Sequence, residues 1–409
     1  MAVSDSSLST SLWELSRLFL KLGAIGFGGP QAHIAMINDE AVQRRQWFSQ
    51  DAFSDGLAIC EMLPGPASTQ MGIYTGYVRA GQLGALVAGL SFIAPAFVIV
   101  VGLSWAYFQF QQVPQLSALF FGVSPVMISI ILGFCWKLGR KSIKDGVGIA
   151  IAIAALLVAS VLKLNTLLLF LIAGLLGLWL YGPKRPKNWP AKLLRGAFVP
   201  VLLGTAATGN GATSTVAVSG FWGSDRIAAY SWPLLSFFLQ VGAFIFGGGL
   251  VIIPLLEFEV VQKLGWLSTA EFLNGVAIGQ LSPGPVVLTA AFVGYKVAGL
   301  LGAAVATVGI FTPSFIFIMA AAPLLLKLRQ NPWVQGFLKG VKPAVVGAIA
   351  AAAIPLGQSA YGEGSVLTGM IAVGISLVAL VALIRFRQPT WLLVLAGAVI
   401  GIACSPLLA

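Results

Sequence analysis

The sequence predicts an all-α polytopic membrane protein built of two inverted-topology repeats, each about five spanning helices plus one re-entrant helical hairpin. Three observations lead there. The 409-residue chain is 58% hydrophobic and only 9% charged, against roughly 25% charged residues in soluble domains. Apolar runs over 83–108, 146–162, 166–181, 300–326 and 365–384 reach or approach the roughly 20 residues that cross hydrocarbon, and the roughly 10-residue alternating segments of a barrel do not appear. The chain also matches itself: "LGAIGFGGP" at 22–30 returns as "VGAFIFGGG" at 241–249, and Pro64-Gly65-Pro66 returns as Pro283-Gly284-Pro285.

The match extends through both halves. Trp13 and Trp47 map onto Trp232 and Trp266 at an offset of 219; after a one-residue slip Gly81, Gly84 and Pro95 map onto Gly299, Gly302 and Pro313 at 218. The repeats occupy 1–181 and 229–409, and 182–228, with the basic stretch "YGPKRPKNWPAKLLR", is expected to be a cytoplasmic linker. Each repeat reads as one crossing, a polar stretch, a broken hairpin and four more crossings. The hairpin arms 51–63 and 66–79 reach roughly 20 Å at about 1.5 Å per residue, past the middle of a roughly 30 Å core but not across it. Pro64-Gly65-Pro66 is then a tip inside the membrane, with two full crossings as the alternative.

An odd number of crossings inverts the second repeat, and the loop charges agree. Arg44/Arg45, Lys137/Arg140/Lys141/Lys144, Lys184–Arg195, Lys327/Arg329/Lys339/Lys342 and Arg385/Arg387 fall on one side, taken as cytoplasmic. The uncharged "QFQQVPQ" at 109–115 and Glu257/Glu259 fall on the other. Both termini lie outside provided that 196–228 does not cross.

Composition removes several alternatives. The net charge of +11 sits mostly in short loops, where it sets orientation, so nucleic acid is not implied. Cys60, Cys135 and Cys404 have unrelated spacings and suggest neither a disulfide framework nor a zinc site. No HExxH, paired intramembrane aspartates or Ser/His pair at helical spacing supports an intramembrane enzyme, and no cofactor is expected. The N-terminal "MAVSDSSLST" has no basic region of the kind that opens a signal peptide.

Matched helix breaks at depth are the build of secondary transporters. The arm after each Pro-Gly-Pro starts with unpaired N–H groups and about half a positive charge. Two such ends converging from opposite faces make an anion site. Pro64, Gly65 and Pro66 would form one side of it, with Ser68, Thr69 and Gln70 as neutral donors; Pro283, Gly284, Pro285 and Thr289 would form the other, poorer in donors because Val286 and Val287 intervene. Gly28 and Gly29, with Gly247 and Gly248, either line the same cavity as open backbone or serve close helix packing.

The "GFGGP" block, the "LPGP" tip, the Gly81-to-Pro95 pattern "GxxGAxxAxxxFxxP" and their second copies resemble the chromate ion transporter family, in its long two-domain form. The resemblance covers most of both halves and is weakest over 182–228. It implies export of chromate, a tetrahedral dianion, across the bacterial inner membrane, with sulfate, similar in shape and charge, as the expected competitor. A sulfate-like oxyanion carrier or a channel is the alternative. A coupling proton and a homodimer are compatible with the sequence. Lipid surrounds the rest. "SPGP" for "LPGP", "FGGG" for "FGGP" and Gln280 for Glu61 imply unequal halves.

Charged residues at depth are functional candidates because each costs roughly 2.5–3.5 kcal/mol at a helix centre. Glu61 closes a half-helix, where the dipole disfavours a carboxylate, so it is a candidate proton carrier or a hydrogen-bonding tip residue. Lys21 is a candidate ligand on the first helix, or a snorkelling side chain; Arg17 is expected to pair with Glu14. Arg79 and Lys296 are expected to snorkel, His33 to hydrogen-bond in a loop, and Asp51 and Asp55 to stabilise a helix start.

Overall fold

A computed structural model describes residues 11–182, 220–245, 249–321, 331–362 and 366–404. The described secondary structure is helical, as an all-α polytopic membrane protein requires. Among the described residues, six segments are long and apolar enough to cross a membrane.

The first expected crossing is a hairpin instead. Helix α1 (Leu12–Ile25) is roughly 21 Å long at 1.5 Å per residue, short of the hydrocarbon thickness. It ends at Gly26, and Gly28, with φ +116°, begins α2 (Gly29–Asn38), which has Pro30 in its first turn. The left-handed glycine lets the chain reverse where another residue would be strained. α2 widens into a π-helical turn, Asp39–Arg44, and runs back along α1. Lys21 pairs with Glu40 at 3.3 Å, and Arg45 pairs with Glu14 at the base. The stretch expected to be a polar loop, 31–50, is therefore mostly helix. Arg17 loses its expected partner to Arg45.

A second hairpin follows from the same end of the molecule. α3 (Gln50–Met62) is capped by Ser49, whose hydroxyl accepts the Ala52 N–H at 3.2 Å; Asp51 only adds charge to the first turn. After the Pro-Gly-Pro tip, α4 (Ala67–Phe110) kinks at Ala80–Gly81, where Gly81 has φ +62° and ψ −150°. The two sides of the kink pack backbone to backbone: a Cβ on Gly76 or Gly84 would overlap the other's carbonyl oxygen.

The second half repeats these features. α8 (Ile227–Phe244), α9 (Ile252–Leu256) and the π-helical turn Glu257–Lys263 make one hairpin. α10 (Thr269–Leu281) and the first part of α11 (Thr289–Ala321) make the other, with the kink at Ala298–Gly299. Trp47 N–H donates to Ala41 O at 2.7 Å, and Trp266 N–H to Val260 O at 2.9 Å. The bases of these hairpins lie at the other end of α4: Phe108 stacks on Tyr295 at 6.3 Å and sits under the Lys296 ammonium at 5.0 Å. Gly81 and Phe108 are separated by roughly 40 Å of helix.

The remaining helices interlock. α5 (Pro114–Ser142) packs against α13 (Val366–Arg385) and α14 (Thr390–Ala403), whereas α12 (Pro332–Gly362) packs against α6 (Gly146–Val161) and α7 (Thr166–Tyr181). Each half thus lends its last helix pair to the other. Glycines set the spacing: a Cβ on Gly122 would strike Gly397 O and Gly401, and one on Gly340 would strike Ala173 O and Gly177. Side-chain caps start the lent helices of the first half, with Asp145 accepting Gly148 N–H at 2.7 Å and Asn165 accepting Leu167 N–H at 2.9 Å.

The expected linker is only partly described, since 183–219 lie outside the described residues. Its ends are far apart. Gly182 lies against Gly336, and Tyr181 donates to Asp145 at 2.8 Å, just after α5. Residues 220–226 instead cover the Gly299 kink, with Leu300 N–H donating to Phe221 O at 2.8 Å.

Gly122→Ala and Gly340→Ala should each lower the thermal midpoint in detergent by overpacking worth about 1–3 kcal/mol. Gly102→Ala, where a Cβ meets nothing within 4 Å, should leave it unchanged. Unaltered midpoints at 122 and 340 would contradict the interlock.

Candidate functional site

The four helix breaks meet. Gly65, at φ +131°, donates its N–H to Ile245 O at 2.7 Å, joining the first Pro-Gly-Pro tip to the glycine-rich break of the second half. The reciprocal link runs through His33, which is buried: its Nε2 lies 2.5 Å from Gly26 O and 3.2 Å from Pro283 O. Both partners are carbonyls that only accept, so Nε2 carries the proton and Nδ1 is left as an acceptor.

The tips also seat on each other's long helices. A Cβ on Gly65 would overlap Ser314 Oγ, and a Cβ on Gly284 would overlap Ala96 Cβ. Ser314 follows Pro313 in α11 just as Ala96 follows Pro95 in α4. Glycine is required at both tips by this approach, quite apart from the turn.

Polar satisfaction separates the two tips. Ser68, Thr69 and Gln70 are 1%, 0% and 0% exposed, and Ser314 is 0% exposed. Ser68 Oγ, Thr69 Oγ1, Gln70 Oε1 and Ser314 Oγ have no hydrogen-bond partner in the protein, nor has His33 Nδ1. Gln70 is held in place by its Nε2, which donates to Pro64 O at 2.6 Å. At the other tip Thr289 donates to Val286 O at 2.9 Å, Ser282 to Gly279 O at 2.8 Å, and Gln280 Oε1 accepts from Thr390 at 3.2 Å. An unpartnered buried polar group costs about 1–3 kcal/mol, so a concentration of them marks where a polar ligand would be stabilised. Three hydroxyl donors beside the N-terminus of a half-helix offer neutral hydrogen bonds and a partial positive charge to an oxyanion.

The other expected residues are placed as follows. Gly28 and Gly29 have φ +116° and +77° and form the open break between α1 and α2; Gly247 and Gly248 lie outside the described residues. Pro66 precedes α4 and Pro285 precedes a 3₁₀ turn, Val286–Leu288, that leads into α11. Lys21 pairs with Glu40 rather than turning to a tip. Glu61 is 44% exposed at its side chain and faces Lys141 at 3.7 Å, so its carboxylate does not stand alone against the helix dipole, which had motivated a proton there. Arg79 lies over the Trp47 ring at 5.3 Å. Lys296 does not snorkel: it is 4% exposed and donates to Glu271 Oε1 at 2.6 Å.

Ser314 and the bridging role of His33 were missed in the sequence. The signal for Ser314 was present as the polar partner of Ala96 in the repeat alignment; for His33 it was position alone, just after "GFGGP". A groove of about 570 Å³ lies between α4 and α11 and is lined by Leu86, Leu90, Val308 and Phe311; an apolar wall of this kind suits acyl chains and not a dianion.

The Lys296–Glu271 pair clamps the second hairpin. Lys296→Gln should destabilise the fold strongly, by about 3–5 kcal/mol, because it strands a buried carboxylate, whereas Lys21→Gln, in a half-exposed pair, should cost under about 1 kcal/mol. Thermal unfolding of the two variants checks the order; equal losses would refute it.

Comparisons with known proteins agree with this architecture. The chain is 35% identical to the chromate transport protein of Cupriavidus metallidurans over 97% of its own length and 94% of that protein's. It is 37% identical to a probable chromate transport protein of Synechococcus elongatus, over 91% and 92% of the two chains. An uncharacterized transporter of Bacillus subtilis is 33% identical over 39% of this chain but 82% of its own length, about one repeat. No solved structure matches. The chromate transporter family model matches residues 13–178 and again 232–402, and the chain, with its two sets of helical hairpins, belongs to that family.

Proposed function

We propose that this protein is a secondary transporter that exports chromate across the bacterial inner membrane. The observation that carries this reading is the cluster of buried, unpartnered hydroxyls of Ser68, Thr69 and Ser314 at the meeting point of the helix breaks. A tetrahedral dianion supplies acceptors for each of them. The site has no lysine or arginine among its contacts described above, so binding rests on hydrogen bonds and partial charges, strong enough to replace water and weak enough to release.

The end of the molecule that carries Arg44, Arg45, Lys137, Arg140, Lys141, Lys144, Lys339 and Lys342 is the cytoplasmic one by the positive-inside rule. The hairpins of the second half then enter from outside, and the repeats are inverted. In this reading α1 begins on the cytoplasmic side, not outside. Voltage favours export: at 100 mV, negative inside, a dianion gains about 4.6 kcal/mol on leaving, at about 2.3 per charge, which sustains a gradient of about three decades. Export therefore needs no coupled ion, and sulfate, with the same charge and shape, would compete.

Proteoliposomes with an ionophore-set potential test the reading directly. Chromate should leave the positive-going way, against the sign of a negative interior, and added sulfate should inhibit; flux indifferent to voltage and oxyanion would refute it. Ser68→Ala with Thr69→Val should weaken chromate binding one to two decades, as charge-assisted bonds worth about 1.5–3 kcal/mol are lost. Thr289→Val, whose hydroxyl is already used, should do much less, and equal losses would remove the asymmetry. For orientation, Gln112→Cys should react with impermeant reagents from outside intact cells and Gln335→Cys should not; labelling at 335 would sink the inversion.

A further inference from the structure

Three helices bring charge together beside the first tip, outside the hydroxyl cluster. Glu61, on the last turn of α3, stands three residues before Pro64. Lys141, on the last turn of α5, approaches its carboxylate at 3.7 Å. Lys342, on α12, lies within interaction range of Lys141, Lys144 and Glu61. The packing holds these elements in place: Gly148 lies 3.6 Å from Pro343 Cγ, measured from a Cβ position, and Cys135 Sγ reaches Val346 O at 3.5 Å. Glu61 and Lys141 are half-exposed and exposed, so the group opens to water on one side while its backbone leads to the Gly65 turn on the other.

Like charges do not gather without a reason. Lys141 pairs with Glu61, and Lys342 feels the charges of Lys141, Lys144 and Glu61, so the group carries more positive charge than its one carboxylate offsets. The matching positions of the second half carry no such set. Gln280 stands for Glu61, Ser359 for Lys141, Gly362 for Lys144 and Ser124 for Lys342, at the offsets of 219 and 218 that relate the repeats. This lysine set belongs to the first tip and has no counterpart at the second.

We propose that Lys141, Lys144 and Lys342 form an anion-capture vestibule leading to the Pro64–Gly65–Pro66 tip, and that Glu61 is its internal competitor, holding the lysines when no oxyanion is present and giving them up when one arrives. The inference rests on the anion-transport reading above and adds direction to it. The vestibule raises the local concentration of a dianion at one face; the other mouth, neutral at the equivalent positions, releases it without recapture.

The test uses the full chain in sealed vesicles of defined orientation, with chromate and sulfate presented from either face. Lys141→Gln with Lys342→Gln should raise KM from the Lys141 face about tenfold, as expected for losing two cations roughly 6 Å from a dianion in a wet site screened by physiological salt, and leave KM from the opposite face unchanged. Glu61→Gln should lower KM from the same face, and about 0.5 M salt should erase both effects by screening. A second readout needs no transport. With Cys60, Cys135 and Cys404 replaced by alanine, Met62→Cys should react faster with an anionic than with a neutral methanethiosulfonate. That ratio should rise in Glu61→Gln and fall in Lys342→Gln. Equal KM changes from both faces, or a ratio indifferent to Glu61 and Lys342, overturns the vestibule. The expected ratios without any oxyanion flux leave the vestibule standing and remove the transport reading instead.

Discussion

Everything in this molecule follows from the need to satisfy interrupted backbone where no water is available. A helix that stops inside hydrocarbon leaves N–H and C=O groups that cost several kcal/mol each if left bare. Here the breaks answer one another. Gly65 N–H goes to Ile245 O, and Gly26 O and Pro283 O share the His33 ring. Each half closes part of its breaks itself, but Gly65 N–H and Pro283 O find their partners across the halves, so the full centre needs both. The glycines at 65 and 284, the prolines around them and the close seats at Ser314 and Ala96 are consequences of that reciprocity.

What the sequence made legible was the part written in repeats. Paired Pro-Gly-Pro tips, the offset of 219 and the sided charges are one-dimensional signals, and the tips lie where those signals put them. The donor contrast between Ser68, Thr69 and Gln70 on one side and Val286 and Val287 on the other was also visible, and the hydrogen bonds show why it matters: Thr289 turns back on its own helix while Ser68 and Thr69 do not. The first hairpin was hidden because an apolar 14-residue helix followed by glycines looks the same whether the chain continues or reverses. Only the pairing of Arg45 with Glu14 and Lys21 with Glu40 reveals the return, and ion pairs across a reversal have no sequence period. Ser314 was obscured for the same reason, since its partner Gly65 is 249 positions away.

The halves share a plan and differ in burial. The second tip and the arms beside it are almost wholly buried, from Phe272 through Gly299, and are clamped by Lys296 and Glu271 across the hairpin. The corresponding positions of the first half hold Val78 and Ala52, which cannot form that ion pair, and Gln50, Asp51, Ser54 and Glu61 of α3 are exposed. The Lys296–Glu271 pair of the second hairpin is largely buried, whereas Glu61 and Lys141 beside the first tip stand at the surface.

The lending of helix pairs between halves governs how the chain is made as well as how it stands. When a ribosome has delivered α5, the surface that will receive α13 and α14 has no cover, and it waits through more than two hundred further residues. Apolar flanks exposed to lipid tolerate that wait far better than flanks exposed to water would, because lipid tails are as apolar as the missing helices. Packing is therefore the last event of synthesis, driven by glycine-to-glycine fit at Gly122 and Gly401 and not by escape from solvent. A single repeat, synthesised alone, would find that fit only on a second copy of a repeat.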